Sequence, residues 1–113
     1  MQDFALDFDN FAATKPQSPC VTEGERTFTW AEVKAISDNL FAELSDNGVA
    51  VGDVVVWIGA AGADRLFAHL ASQRSGFVFA APVIAMGPDF IEQFLDTAAP
   101  KAIIVQSGWE EHV

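Results

Sequence analysis

Three uninterrupted apolar runs constrain this chain more than any other feature: Val54–Ile58, residues 77–82 and Ala102–Val105. A strand with one wet face alternates apolar and polar residues, whereas a run without alternation suits a strand covered on both faces, the usual lot of parallel strands. The segments between the runs have helical periodicity. Residues 64–75 place Leu66, Phe67 and Leu70 inward and stop at Gly76, and Pro88–Ala98 repeats the pattern through Phe90, Ile91, Phe94 and Leu95. Strand, helix, strand, helix, strand is the order that generates a right-handed parallel layer, so an α/β fold is expected.

A helix and a small hairpin are predicted ahead of that layer. Phe4, Phe8, Phe11 and Ala12 recur at helical spacing before Lys15-Pro16 closes the segment, and residues 19–22 and 26–28 flank the turn Glu23-Gly24-Glu25. A longer helix is expected to start at Thr29, because Thr29-Trp30-Ala31-Glu32 is a capping box in which hydroxyl and carboxylate satisfy orphan backbone N–H groups reciprocally. Val33, Ile36, Leu40, Phe41 and Leu44 form its apolar stripe, Asn47-Gly48 ends it, and Gly52-Asp53 turns the chain into the first apolar run. The whole of 1–113 reads as a single α/β unit, with the polar 107–113 expected to fray.

Composition narrows the partners. Sixteen acidic against six basic residues leave a formal net charge of -10, which repels DNA, RNA and anionic membrane surfaces. Cys20 stands alone, so neither an intrachain disulfide nor a cysteine metal cage can form, and a cytoplasmic setting is expected. Met1-Gln2-Asp3 does not open like a secretory signal, and no apolar run approaches the ~20 residues that span a bilayer.

Chemistry-bearing residues are sparse. Gly59-Ala60-Ala61-Gly62 lies between a strand and a helix, where a doubly wound fold places a phosphate loop, but the remaining glycine and acid of the dinucleotide fingerprint are missing and a tight turn is the reading preferred here. A small nucleotide-binding domain built on this loop is the minor alternative. His69 and His112 lack companions at ligand spacing, and Asp89, Glu92 and Asp96 share a helix face that reads as solvated. Ser72, Ser75 and Ser107 have no nucleophile-elbow setting, so no catalytic, cofactor or metal residue is assigned.

The order of elements, together with specific residues, resembles the opening segment of the adenylate-forming (AMP-binding) enzymes, the superfamily of acyl-CoA synthetases, peptide-synthetase adenylation domains and luciferases. Phe28-Thr29-Trp30-Ala31-Glu32-Val33 is similar to their first core motif, and Gly48-Val49, Gly52-Asp53 and Val54–Ile58 follow in the family's order. Arg74-Ser75-Gly76 and the run to Pro82 resemble the second motif, with the proline one residue late and without the Asn or Ser-Pro often found in the preceding loop. Pro88 and Pro100-Lys101-Ala102-Ile103-Ile104-Val105 complete a likeness covering about residues 4–105. It implies an N-terminal fragment or split subunit of a ligase that activates a carboxylic acid with ATP and passes it to CoA or a carrier thiol. ATP, Mg²⁺ and the thiol are implied for a complete enzyme, not for this chain, whose Lys15, Lys34 and Lys101 sit in none of the family's catalytic contexts. The implied partner is the remainder of such an enzyme. The alternative is a stand-alone, non-catalytic interaction protein of truncated fold that pairs as a homodimer.

The capping box makes a local prediction. Thr29→Ala should cost on the order of 1 kcal/mol in denaturant melts, because it strips an orphan N–H of its acceptor; an unchanged midpoint in both Thr29→Ala and Glu32→Ala would mean that the helix starts elsewhere.

Overall fold

The computed structural model describes residues 4–112; Met1 to Asp3, Val113 and the side chains of residues 4–7, among them the Phe4 counted above in the first helix, lie outside the described residues. Helix α1 (Phe4–Thr14) leads into the antiparallel hairpin β1 (Pro19–Glu23) and β2 (Arg26–Thr29), then α2 (Trp30–Asp46), β3 (Val54–Ile58), α3 (Ala63–Ser75), β4 (Val78–Ala80), α4 (Pro88–Ala98) and β5 (Ala102–Val105). Helix α2 begins as its sequence predicts: Glu32 N–H donates to Thr29 Oγ1 at 3.1 Å, and Thr29 N–H donates to Glu32 Oε1 at 3.0 Å.

The second sheet has strand order β4-β3-β5, with both pairings parallel. Val55 is therefore opposite Phe79 on one side and Ala102 on the other, so the middle strand has no free edge. Alternate residues of β3 feed different cores. Val55 packs with Leu44, Val49 and Phe77 under α2, while Val56 and Ile58 pack with Ile91 and its neighbours Phe90, Phe94 and Leu95 on α4. Helices α2 and α3 cover one face and α4 the other, which is why the run could be apolar throughout.

A separate core joins α1, α2, α3 and the hairpin through Phe8, Ala12, Val33, Ala63, Phe67 and Leu70. Phe8 and Phe11 stand 5.5 and 5.1 Å from the Trp30 ring, so they cover α2 and not the sheet. The C-terminal residues hold a 3-10 turn, Glu110–His112, and Trp109 packs against the α4-side core.

Three expectations are corrected. Leu66 is 46% exposed and does not point inward, because Ala63, Phe67, Leu70 and Ala71 form the buried stripe of α3 and leave Leu66 beside it. Phe41 is 42% exposed for the same reason on α2, where Ser37 and not Phe41 holds the buried position. The run 77–82 contributes only Val78–Ala80 to the ladder: Phe77 is buried ahead of it and Pro82, lacking an N–H, cannot extend it.

Arg74, near the end of α3, ties three helices together. Its guanidinium donates to Asp38 Oδ1 at 2.9 Å, to Asp9 Oδ1 at 2.7 Å and to Ser37 Oγ, and lies 4.9 Å from the Phe8 ring centroid. Lys34 adds a 2.7 Å bond to Asp38 Oδ2. Burial raises the Asp38 carboxyl, but hydrogen bonds and charge from Lys34 and Arg74 outweigh it and hold the group below the ordinary carboxylate range.

A depressed folded pKa means stability that is complete above the unfolded value of about 3.9 and is lost as pH falls below it through the folded value. Melting midpoints taken between pH 7 and pH 2 should accordingly show a gap between the wild type and Asp38→Asn at neutral pH that closes in acid; a gap independent of pH would remove the ion pair from the account.

Candidate functional site

In open parallel sheets, ligands bind beyond the carboxyl ends of the strands, at the point where successive crossovers run to opposite sides. Here that point follows β3, since β4 lies on one side of it and β5 on the other. The loop Gly59-Ala60-Ala61-Gly62 occupies this position and leads directly into α3.

The chain engages two N–H groups at the loop with its own side chains. Ala60 N–H donates to Gln106 Oε1 at 2.8 Å, and Gln106 N–H is held by Ile58 O at 2.9 Å just past β5. The Trp57 indole N–H donates to Ala60 O at 3.3 Å from below. A Cβ at Gly59 would stand 2.7 Å from Gln106 Cβ and 2.9 Å from the Trp57 ring, so only glycine fits there. At the helix end, Ala63 N–H donates to Glu23 Oε2 at 2.6 Å, and a Cβ at Gly62 would meet the same oxygen at 2.5 Å.

Glu23, from the hairpin, thus places a carboxylate on the positive end of the α3 dipole, the position in which a phosphate loop holds its phosphate. A triphosphate there would meet both a filled donor and a like charge. The residues present form a self-capped turn.

The other candidates are not brought together. His69 is exposed and stacks on Phe79 with 4.6 Å between ring centroids. His112 Nε2 lies 3.5 Å from Glu111 Oε1 and beside Trp109. Asp89, Glu92 and Asp96 are exposed along α4, and among the described residues no group of three or more His, Cys, Asp or Glu side chains could hold a metal ion. Ser72 and Ser75 return their hydroxyls to Ala68 O and Ala71 O within their own helix, at 2.9 and 2.7 Å. Burial raises the Cys20 thiol.

Sequence reasoning missed Glu23 and Gln106. Gln106 was within reach, since it directly follows a parallel strand at the ligand-binding edge; Glu23 was not, being 40 residues from the helix it caps. Glu23→Ala should cost about 1 kcal/mol, as for loss of any side-chain N-cap, and Glu23→Gln less, because an amide keeps the acceptor and loses only the charge. Denaturant melts check this; equal midpoints for all three proteins would remove the cap.

Sequence and structure comparisons bear on the family and the fold. The family described as AMP-binding enzyme matches residues 8–113. The L-2-aminoadipate reductase large subunit of Eremothecium gossypii is 32% identical over 104 residues, covering 87% of this chain and 8% of that protein. A chain described as a long-chain-fatty-acid CoA ligase from Rhodopseudomonas palustris superposes with a TM-score of 0.91 at 19% identity, over 99% of this chain and 28% of that one. The O-succinylbenzoate CoA synthetase of Bacillus subtilis, solved with ATP and magnesium, gives 0.85 at 18% identity over 97% and 30%. The chain therefore spans less than a tenth of that reductase subunit and under a third of these two solved chains. Among the described residues no helix is long and apolar enough to cross a membrane. With the family's model matched over residues 8–113, this chain belongs to the AMP-binding enzyme family.

Proposed function

We propose that this chain is the N-terminal scaffold of an ATP-dependent ligase that converts a carboxylic acid to an acyl-adenylate and then transfers it to CoA or a carrier thiol, in the cytoplasm. On this reading it is inactive alone. The observation that carries the reading is the family match over residues 8–113, combined with a strand-end loop at which the Ala60 and Ala63 N–H groups are already bonded to Gln106 and Glu23. The chain holds the layer in shape, and the polypeptide that completes the enzyme supplies the groups that bind ATP, Mg²⁺ and the acid.

A second reading, a stand-alone interaction protein that pairs as a homodimer, is favoured by one feature. Val78 is 50% exposed on β4, and Val83 and Met86 just after it are 61% and 62% exposed, beside a sheet edge with no partner strand among the described residues. Apolar side chains beside an open strand edge are a common site of self-association.

The two readings part in one set of experiments. The purified chain should neither bind ATP with Mg²⁺ in calorimetry nor catalyse acid-dependent ATP–pyrophosphate exchange, and exchange should appear on co-expression with the product of the coding sequence downstream. Micromolar ATP binding by the chain alone, lost in Gly62→Asp, would overturn the scaffold reading. Downstream sequence without a Ser/Thr- and Gly-rich phosphate loop, together with a dimer mass by light scattering, would establish the second reading instead.

A further inference from the structure

Between α2 and α3, on the side of the sheet that β5 borders, lies a cleft of about 570 Å³. Trp57, Phe67 and Ile104 line its floor, and Ile36 and Leu40 its α2 wall. Its charged lining consists of Glu43 and Asp64 alone; none of the chain's six Lys and Arg residues contributes. Four of the six are committed elsewhere, Lys34 and Arg74 to Asp38, Lys15 over Phe11 and Arg26 over Phe28, while Arg65 and Lys101 lie outside the lining. Among the described residues neither Glu43 nor Asp64 has a cation within 4.0 Å.

We infer that this cleft is a docking groove for an apolar segment flanked by Lys or Arg, carried by the polypeptide that completes the enzyme. The inference rests on the scaffold reading above for the source of the segment, and on the groove for its chemistry. The half-buried Ile36, Leu40 and Ile104 alone would accept any greasy surface, but the two acids, of which Asp64 accepts only a 3.4 Å bond from Gln106 Nε2 and neither has a cation partner, select among them. A second copy of this chain is a poor occupant, because it brings a net charge of -10 to an acidic rim. A basic-flanked segment gains burial against Ile36, Leu40 and Ile104 and an ion pair at each wall, since Glu43 stands on α2 and Asp64 on α3. The cleft also opens at Gln106 and Ser107, next to the free edge of β5, so an occupant running along it can pair with that edge as well.

The probes are two synthetic peptides of about 15 residues with the same Leu- and Ile-rich centre, one flanked by Lys and one by Glu, titrated against the whole chain with amide and indole NMR shifts as the readout. The Lys-flanked peptide should bind at least ten times more tightly, shifting the Trp57 indole and the Ile104 amide. Raising salt from about 50 to 500 mM should erode most of that preference. The double variant Glu43→Lys, Asp64→Lys should reverse it; both residues are exposed, and the control Asp89→Lys, Glu92→Lys on the far helix should leave it intact. Equal affinity for the two peptides, or shifts confined to residues outside the cleft, would overturn the groove. So would a dimer that forms in the wild type and dissociates in the double variant, since a second copy would then be the occupant. Co-expression separates this proposal from the scaffold reading. Exchange activity that survives the double variant overturns the groove alone, whereas the expected peptide preference without any restored exchange overturns the enzyme reading alone.

Discussion

Everything in this fold answers to the need to hide β3. Val55, Val56 and Ile58 have no exposed surface and Trp57 has 4%, so the strand must have helices on both faces and strands on both edges. At roughly 1.5–3 kcal/mol for each large side chain removed from water, these few residues outweigh any single polar contact in the chain. The crossovers follow from that demand. Helix α3 returns the chain to one edge as β4, and α4 crosses the opposite face to reach the other edge as β5, which leaves the reversal point beyond the end of β3.

The helix and hairpin at the N-terminus meet a different requirement. They build a second core against the outer side of α2 and α3, and two charged side chains fasten it to the layer: Arg74 reaches Asp9 on α1, and Glu23 reaches the first turn of α3. Both use helix ends, with a cation in the last turn of α3 and an anion at its first, so the same dipole favours both contacts. Arg74 is also screened from water by the Phe8 ring beneath it, and its side chain is only 13% exposed. Two ion pairs at such a site fix where α1 lies more than they add to stability, since burying the guanidinium offsets much of the attraction.

The legible parts of the structure were the local ones. The capping box at Thr29, the left-handed Gly76 after α3 and the Pro88 start of α4 each depend on residues within a turn of one another, and each stands where the sequence put it. The apolar stripes were less exact, because spacing identifies a face and not its centre: Leu66 and Phe41 lie at the margins of stripes whose middles are held by Ala71 and Ser37. Small residues there let helices approach closely, and a scan for large apolar side chains passes over them. The site was the least legible, since Arg74 with Asp9 and Glu23 with Ala63 join residues 65 and 40 positions apart and neither pair leaves a motif.

That illegibility bears on what the loop after β3 can do. Gly59 and Gly62 look like permissive residues of a binding loop, yet Gly59 is there because Gln106 and the Trp57 ring come too close for a Cβ, and Gly62 lies directly under the Glu23 carboxylate. The groups that come close, a glutamine from beyond β5 and a carboxylate from the hairpin, are those that a bound phosphate would have to displace. A cradle that evolves for an anion keeps its N–H groups free and its surroundings positive, whereas here the Ala60 and Ala63 N–H groups are already bonded, the second of them to a carboxylate. The end of β3 is thus a seam in which Glu23 of the hairpin holds the first turn of α3 and Gln106 from beyond β5 holds the loop between them.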